Sequence, residues 1–381
     1  MSEKEWLRAG QQVIRRLNEA HHDAYFVGGC VRDLLLNRAL TDIDIATSAT
    51  TDEMERIFEK MIPVGEKHGT MVVREAGYVF EVTTYRGEVQ SIAEDLNLRD
   101  FTMNALAMNK QLQLVDPHCF YSDLQGQAIR FCSPASKTIS ADPLRMLRAV
   151  RFQSQLRFHL DKQSLQEIRD NITLLRQIPV ERIVPEIEKI WAGKDRKHAL
   201  KRMIDLGYFE PNLFLEKKTI IALLKLTELA LYSAEELWSL IAIIQPKLKW
   251  RQIPIKREIK KLIHKRLELF VRRVEEGWSN LLLYDATAQQ IEPIERYYQL
   301  LYPNRKSVSF ETLQLRYQKL PIHSRKELTV SGAEIVKHLK VKAGRWVESV
   351  LREIEHKVLE EKVENKQELL LYFVESEWRK Q

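Results

Sequence analysis

The sequence predicts an α+β protein, with a mixed α/β domain first and an elongated, all-helical part after it. An apolar run from Tyr25 leads into a Gly-Gly turn at 28–29 and then into a helical pattern, which is the order of a strand, a turn and a helix. Two alternating segments at 70–74 and 78–85 predict a β-hairpin. From Asp142 onward the apolar spacing is helical almost to the end and glycine is rare, which favours a helical body.

The elements of the mixed domain follow from local signals in chain order. Thr51 or Asp52 is the expected N-cap of one of its helices, because a side-chain oxygen there can accept from a free backbone N–H. The expected elements are an amphipathic helix over 1–24, a strand and turn at 25–31, a helix over 30–36, a strand at 41–47, a helix at 51–61, the hairpin, and further sheet segments at 104–108 and 112–115. These segments carry the domain to about residue 130.

The bulk composition favours a globular protein with a polyanionic partner. The chain has 381 residues, 44% of them hydrophobic and 30% charged, which is enough for two to four domains. Its formal net charge is +7. An excess of positive charge favours nucleic acid as a partner, although an ordinary basic surface gives the same balance.

Three classes of protein are disfavoured by the sequence. The cysteines are Cys30, Cys119 and Cys132, an odd number without a CxxC pair, so neither a disulfide framework nor a zinc site is indicated. No apolar run approaches the roughly 18 residues that span a bilayer, and the charged N-terminus does not resemble a secretory signal. The apolar patch at 240–244 is short and predicts a buried helix instead. We therefore expect a reduced, cytoplasmic protein without a membrane partner.

The most informative residues are the two glycines and a pair of carboxylates that follows them. Gly28 and Gly29 lack a Cβ, so a phosphate can approach their backbone closely. Asp42 and Asp44 are spaced i, i+2 in a predicted strand, which places both on one face. Two neighbouring carboxylates repel each other and are neutralised by a divalent cation. A phosphate cradle beside such a pair predicts Mg²⁺-assisted nucleotidyl transfer.

Three weaker signals accompany this pair, each with an ordinary alternative. Glu81 in the hairpin could lie beside the two aspartates as a third carboxylate or a supporting group, or could simply face solvent. The pair Arg99-Asp100 could bind a phosphate and a ribose hydroxyl, or be a surface ion pair. Asp142 and Arg145, at i and i+3, could read a base edge, or form a helix salt bridge.

The segment 247–273 is strongly basic and is a candidate for contacts with an RNA backbone. A solvated helical face would have the same composition. Trp250 and Phe270 lie within it, at a spacing more typical of core residues than of base-stacking platforms. Its basic residues are Lys247, Lys249, Arg251, Lys256, Arg257, Lys260, Lys261, Lys265, Arg266, Arg272 and Arg273.

The motifs together resemble one family, the class II tRNA nucleotidyltransferases, which comprises the bacterial CCA-adding enzymes and their poly(A) polymerase relatives. The resemblance covers nearly the whole chain, because the segments at 320–322, 327–332, 344–346 and 363–365 look like the tail of the bacterial CCA-adding form. The N-terminal motifs are GGCVRD at 28–33, DID at 42–44, FEVTT at 80–84, RDFTMNALAM at 99–108, DPLRMLRAVRF at 142–152 and ERIVPEI at 181–187.

The resemblance implies a role for each matching residue. Asp42, Asp44 and Glu81 would be catalytic, with the two aspartates holding Mg²⁺. Arg182 and Glu186 would brace the helix that starts near residue 142. The nucleotide would be bound by Gly28, Gly29 and Arg32 at the triphosphate, by Asp100 at the ribose, by Arg99, by Asp142 and Arg145 at the base edge of CTP or ATP, and by Arg148 and Arg151.

The resemblance also implies an architecture and a substrate. A head with a polymerase-β-like nucleotidyltransferase fold would occupy residues 1–130, followed by a helical neck at 131–205, a body at 206–305 and a tail at 306–381. The neck would recognise the nucleotide base, and the body and tail would bind tRNA. The reaction would add CCA, or part of it, to the 3′ end of tRNA from CTP and ATP. The sequence leaves a monomer or a homodimer open.

Three departures from the family pattern keep other functions open. The family's paired arginine is Leu98-Arg99 here, and the acid that normally precedes Asp142 is Ala141. The segment 86–95 is also shorter than the flexible loop of CCA-adding members, which is typical of enzymes that add only CC. The alternatives are therefore a CC-adding enzyme, then a poly(A) polymerase, or an RNA-binding relative with impaired catalysis.

Overall fold

The computed structural model describes residues 2–58, 61–63, 69–226 and 233–378. The chain forms two compact units, residues 1–234 with 251–254, and residues 235–250 with 255–381. The first unit contains the mixed sheet, and the second is helical where it is described. This confirms the predicted fold class. The finer division into head, neck, body and tail stays a prediction.

A seven-stranded mixed sheet organises the first part of the chain. Its strand order is β3-β4-β5-β2-β1-β6-β7. All neighbours are antiparallel except β2 and β5, which are parallel. The strands are β1 (Ala24–Val27), β2 (Asp44–Thr47), β3 (Met61–Pro63), β4 (Thr70–Glu75), β5 (Tyr78–Thr84), β6 (Ala107–Met108) and β7 (Leu114–Val115).

The predicted hairpin is confirmed as β4 and β5. Its two-residue turn consists of Ala76 and Gly77, with φ values of 49° and 82°. Positive φ at both positions is the geometry of the turns that match the twist of paired strands. The register that follows pairs Val72 with Glu81.

The central strands decide where the carboxylates lie. In the antiparallel β1–β2 pair Val27 lies opposite Asp44, so the Gly-Gly turn begins directly beside this aspartate. In the parallel β2–β5 pair Asp44 lies opposite Glu81. Side chains of paired residues project from the same face of a sheet. The sheet therefore brings an aspartate, a glutamate and the turn together from three separate segments.

Helices of the first unit pack around the sheet and continue beyond it. Strands β8 (Ala128–Ile129) and β9 (His159–Leu160) form a separate parallel pair. They lie in a part of the chain where the sequence gives little strand signal. The helices are α1 (Glu3–Glu19), α2 (Gly29–Leu35), α3 (Thr51–Ile57), α4 (Ile92–Asn97), α5 (Tyr121–Gln125), α6 (Ala135–Ala141), α7 (Leu144–Leu156), α8 (Lys162–Asn171), α9 (Val180–Ala192), α10 (Arg196–Leu206) and α11 (Lys217–Lys225).

Three local predictions in this unit are wrong. Helix α3 is capped by Thr50, not by Thr51 or Asp52, because Thr50 and Glu53 form a reciprocal capping box. The helix also ends at Ile57 instead of continuing to 61. Residues 59 and 60 lie outside the described residues, and the residues after them pair with β4 as strand β3. The strand predicted at 41–47 begins only at Asp44, where pairing with β1 starts.

The second unit consists of seven described helices. The apolar patch at 240–244 is a largely buried helix, as predicted. Among the described residues, no helix combines the length and the apolar character that a bilayer crossing requires. The helices are α12 (Ala234–Ile244), α13 (Arg257–Glu276), α14 (Asn280–Leu301), α15 (Phe310–Gln318), α16 (Gly332–Leu339), α17 (Trp346–Leu359) and α18 (Gln367–Trp378).

A buried carboxylate fixes α13 and α14 in the second unit. Glu295 is 2% exposed. Its Oε2 accepts from Arg273 Nε at 2.6 Å and from Trp278 Nε1 at 2.7 Å, while its Oε1 accepts from Arg273 Nη2 at 3.0 Å and from the Val308 N–H at 2.8 Å. Four donors satisfy this one side chain, which is what allows a charged group to be buried.

We expect Glu295→Ala to destabilise the second unit by about 3–5 kcal/mol, because Arg273 would remain buried without its counter-ion. Glu292→Ala, one turn earlier on the same helix, is the matched control. Its side chain is exposed and pairs only with Arg296 among the described residues, so about 0.5 kcal/mol or less is expected. Urea denaturation of both variants measures the difference, and equal losses would contradict this account of Glu295.

Candidate active site

One cavity of about 1360 Å³ lies in the first unit and collects nearly all the predicted site residues. It is lined from the sheet side by the Gly-Gly turn and the aspartate pair, and from the helical side by arginines of α7 and α9. Glu81 does not line it. The predicted residues that do are Gly28, Gly29, Arg32, Asp42, Asp44, Arg99, Asp100, Asp142, Arg145, Arg148 and Arg151.

The turn at Gly28 requires glycine for two reasons. Its φ is +78°, a conformation that residues with a side chain rarely adopt. A Cβ there would also lie 3.2 Å from Arg99 Nη1 and 3.3 Å from Asp44 Oδ2. The missing side chain thus leaves room between a guanidinium and a carboxylate. The close approach of a phosphate to this backbone stays a prediction.

The carboxylates at the turn carry crowded negative charge. Burial, followed by the charges of Asp42 and Glu81, raises the pKa of Asp44 to about 6. Asp42 itself lies just outside the strand and is exposed. The expectation that both aspartates share one strand face is therefore not met in detail, although both line the same cavity. Glu81 acts on Asp44 because the two residues lie opposite each other on the paired strands β5 and β2.

This donor set fits a magnesium ion that is completed by substrate. Among the described residues, no group of three or more His, Cys, Asp or Glu side chains is placed to hold a metal ion. Mg²⁺ is usually bound in proteins by one or two carboxylates together with substrate phosphates and water. The two aspartates would supply the carboxylates, and both line the same cavity.

Arg32 and Asp100 are held in place by a shared asparagine. Asn104 accepts from Arg32 Nη1 at 2.7 Å and donates to Asp100 Oδ1 at 3.2 Å. Asp33 accepts from Arg32 Nε at 3.0 Å and from its Nη2 at 2.8 Å, so the guanidinium has a fixed plane. Sequence reasoning missed Asn104 as a site residue, although it lies within the same motif as Asp100.

Asp100 is buried and remains ionised. Burial alone would raise its pKa, but the Arg148 guanidinium 2.6 Å from Oδ2, the Asn104 amide and the Phe101 N–H hold that pKa below its ordinary value. A negative charge at this position attracts donors. The expected contact with a ribose hydroxyl is compatible with this chemistry and stays a prediction.

Asp95 organises a second pair of arginines. It is 1% exposed and accepts from Arg99 Nε at 2.9 Å, with Arg99 Nη2 2.8 Å from the same oxygen. Its other oxygen accepts from the backbone N–H of Arg86 at 3.2 Å. Arg86 lines the cavity and was not predicted as a site residue. The signal was its position two residues after Thr84, where strand β5 and its pairing with β2 end.

The i, i+3 salt bridge between Asp142 and Arg145, the ordinary alternative to a role at the base edge, does not form. Asp142 precedes α7 and accepts instead from Arg182 Nη2 at 2.8 Å, while Arg145 Nη2 donates to the backbone oxygen of Leu98 at 3.3 Å. Ala141 offers no carboxylate to either guanidinium. The expected bracing contacts are present, since Arg151 Nε also lies 2.9 Å from a Glu186 oxygen.

The short segment after Arg86 is folded around one carboxylate. Glu94 accepts from the backbone N–H groups of Glu88 at 3.1 Å and Val89 at 2.6 Å. Gly87 has a φ of +96°, and a Cβ there would collide with the Glu94 carboxylate. The segment is thus closed onto the first turn of α4, which Ser91 caps.

Three arginines of the basic stretch at 247–273 pair with other side chains of the second unit. Arg266 is buried and donates to Gln290, Ser239 and the Tyr297 hydroxyl, at 2.9–3.2 Å. Arg273 is paired with the buried Glu295, and Arg272 Nη1 donates to Asp285 at 2.7 Å. These three side chains do not form part of a free basic surface. The exposed or half-exposed members are Lys247, Lys249, Arg251, Lys256, Arg257, Lys260, Lys261 and Lys265.

Three family models match consecutive parts of the chain. Residues 24–130 match the poly A polymerase head domain, and residues 157–229 match a probable RNA and SrmB-binding site of polymerase A. Residues 230–374 match a model described as tRNA nucleotidyltransferase domain 2, putative. The first of these ranges contains the sheet with its Gly-Gly turn and the aspartate pair.

Full-length relatives give a more specific picture. The chain is 33% identical to the CCA-adding enzyme of Bacillus cytotoxicus over 393 residues, covering 98% of each protein. It is 33% identical to the CCA-adding enzyme of Enterococcus faecalis, covering 96% of this chain and 95% of that protein. Its structure resembles that of the Bacillus stearothermophilus CCA-adding enzyme in complex with CTP, with a TM-score of 0.84, 32% identity and coverage of 100% and 99% of the two chains.

The crowded aspartate predicts a pH-dependent stability in the metal-free protein. The pKa of Asp44 rises from an ordinary 3.8 to about 6 on folding, so ionising it costs on the order of 3 kcal/mol in the folded state. Asp44→Asn has no such cost. We expect the variant to match the parent at pH 4 and to become more stable than it as pH rises through about 6.

Thermal denaturation with a chelator between pH 4 and 8 measures this effect. The control is Asp205→Asn, an exposed carboxylate on α10, which should follow the parent at every pH. If the difference in stability between Asp44→Asn and the parent stayed constant from pH 4 to 8, the raised pKa assigned to Asp44 would be contradicted.

Proposed function

This chain belongs to the CCA-adding enzyme family of the class II tRNA nucleotidyltransferases, and we propose that it adds CCA to the 3′ end of tRNA from CTP and ATP. The observation that carries the proposal is the cavity of the first unit. There an aspartate pair and a glycine turn face a row of guanidinium groups. No nucleic-acid template is needed in this proposal, because protein groups select the base.

The nucleotide would lie with its triphosphate between the turn and the arginines. Gly28 and Gly29 leave the backbone open to phosphate oxygens, and Arg32 and Arg99 present guanidinium groups whose planes are fixed by Asp33 and Asp95. A fixed guanidinium binds phosphate with little loss of side-chain freedom. Arg148 and Arg151 extend this positive wall along α7.

The reaction would be an in-line attack of the tRNA 3′-hydroxyl on the α-phosphate, with pyrophosphate as the leaving group. Asp42 and Asp44 would hold Mg²⁺ near the start of the central strand β2. Glu81, opposite Asp44 on strand β5, would add its negative charge to theirs. When bound, Mg²⁺ lowers the pKa of the attacking hydroxyl and neutralises charge on the leaving oxygens. The protein contributes position and charge, and no covalent intermediate is required.

Base selection would depend on Asp142 and the two arginines nearest to it. A carboxylate can accept from the amino groups that cytosine and adenine share, and a guanidinium can donate to their ring nitrogens. Asp142 is held by Arg182, and Arg145 is held by the Leu98 carbonyl. Uracil and guanine present the opposite pattern at these positions, so they would leave donors and acceptors unpaired.

The tRNA would contact the helical part of the chain, in a cytoplasmic setting. We propose a neck, a body and a tail at residues 131–205, 206–305 and 306–381 for this role. The exposed lysines near the start of α13, including Lys260, Lys261 and Lys265, would bind phosphates of the RNA backbone. Arg266, Arg272 and Arg273 are excluded from that role by their own partners.

A second candidate is addition of CC only. The observation that favours it is the segment 86–91, which is short and closed onto the Glu94 carboxylate by two backbone hydrogen bonds. A segment fixed in this way has little freedom to reshape the cavity between two different bases. Poly(A) addition is disfavoured, because the full-length relatives are CCA-adding enzymes.

Nucleotide incorporation into three tRNA transcripts distinguishes these functions. The transcripts end at the discriminator base, at C and at CC, and each is given CTP, ATP or both with Mg²⁺. The proposal expects CTP addition to the first two and ATP addition to the third. A product that stops at CC would establish the second candidate, and binding of tRNA without incorporation would indicate an RNA-binding relative.

The aspartate pair is tested by substitution in the same assay. Asp42→Ala and Asp44→Ala should each reduce incorporation at least about a thousandfold. One carboxylate alone would not hold the metal that binds the triphosphate. Binding of tRNA in a gel-shift assay should change by less than about twofold. Asp52→Ala, an exposed aspartate of α3 outside the cavity, is the matched control. Retained turnover in either site variant would refute the metal assignment.

A further inference from the structure

Three arginines of the cavity lie around one aromatic ring. The Cζ atoms of Arg151, Arg32 and Arg148 lie 4.1, 5.3 and 5.9 Å from the centroid of the Phe152 ring. All three are within the roughly 6 Å at which the negative face of an aromatic ring attracts a guanidinium. Arg32 belongs to α2 and the other two to α7, so charges from two helices converge on this ring.

The positive charge gathered here is costly for the fold. Burial lowers the pKa of Arg151 below its ordinary value even though Glu186 lies beside it. The three side chains are 12%, 10% and 35% exposed, so water screens their mutual repulsion only in part. Each guanidinium has one close carboxylate partner: Arg151 with Glu186 at 2.9 Å, Arg32 with Asp33 at 2.8 Å, and Arg148 with Asp100 at 2.6 Å.

The ring itself is held rigidly. Phe152 is 5% exposed and meets Phe101 edge to face, with a centroid distance of 5.5 Å and an interplanar angle of 82°. Phe101 in turn stacks on Phe131 at 5.1 Å. Because Phe101 directly follows Asp100, the same turn that places the carboxylate partner of Arg148 also supports the ring.

We propose that Phe152 is a positioning residue whose ring face holds the guanidinium groups of Arg32, Arg148 and Arg151 toward the triphosphate of the bound nucleotide. The inference rests on the proposed function. A ring attracts cations without carrying a charge, so it steadies the arginines and leaves their positive charge available to phosphate. A fourth carboxylate would repel the triphosphate, and an aliphatic side chain would fill the space without attracting the arginines.

Ring fluorination separates this role from simple packing. Phenylalanine analogues with one, two or three ring fluorines at position 152 keep nearly the same size while they weaken the negative face stepwise. The dissociation constant of CTP, measured by calorimetry, and the KM for CTP should rise with each fluorine, and kcat should stay within about twofold. Phe152→Leu should raise both constants about tenfold.

The same analogues at Phe131 are the matched control. That ring is also buried and stacked on Phe101, and among the described residues no arginine or lysine lies over it. No trend in CTP affinity is expected there. A flat series at 152 with a weakened Phe152→Leu would overturn the proposal, since the ring would then only fill space.

The two hypotheses fail in different ways. If the parent protein incorporates no nucleotide into any tRNA, the proposed function fails, and the CTP dissociation constants still decide the role of the ring. If the parent is active and both series are flat, the role of Phe152 fails alone.

Discussion

The site depends on one constraint, the crowding of negative charge at the start of the central strand β2. Pairing of β2 with β1 and β5 places Asp44 beside the Gly-Gly turn and opposite Glu81, and Asp42 lies two residues before Asp44. Burial of Asp44, together with the charges of Asp42 and Glu81, raises its pKa, which is the electrostatic cost of this arrangement. The buried apolar core stabilises the strand pairing, and this pairing fixes the position of Asp44. The fold therefore tolerates the electrostatic cost.

Three of the guanidinium groups that line the cavity are paired with buried carboxylates. Asp33, Asp95 and Glu186 have this role for Arg32, Arg99 and Arg151. A paired guanidinium keeps its orientation in the absence of ligand, so nucleotide binding does not have to order it. The carboxylates that pair with these arginines are buried, whereas Asp42 is exposed and Asp44 is half-buried.

The departures from the family pattern have visible structural consequences. With leucine at 98 and alanine at 141, the described part of the chain offers Arg145 a backbone carbonyl as its hydrogen-bond partner, and Asp142 is held by Arg182. With a short segment after β5, the chain closes onto Glu94 instead of extending over the cavity. The Gly-Gly turn and the aspartate pair are unaffected by these differences and line the cavity.

The sequence by itself determined the fold class, the hairpin and the residue types of the site, because glycine turns, alternating strands and acidic pairs are local signals. Helix capping and strand starts were predicted less well: the cap at Thr50 depends on its reciprocal bonds with Glu53, and the late start of β2 depends on pairing with β1. Only the tertiary structure decided which partner each charge has. Arg182 reaches Asp142 across 40 residues of chain, and Arg32 meets Phe152 from another helix. Such pairings arise from packing between distant segments, which no local pattern encodes.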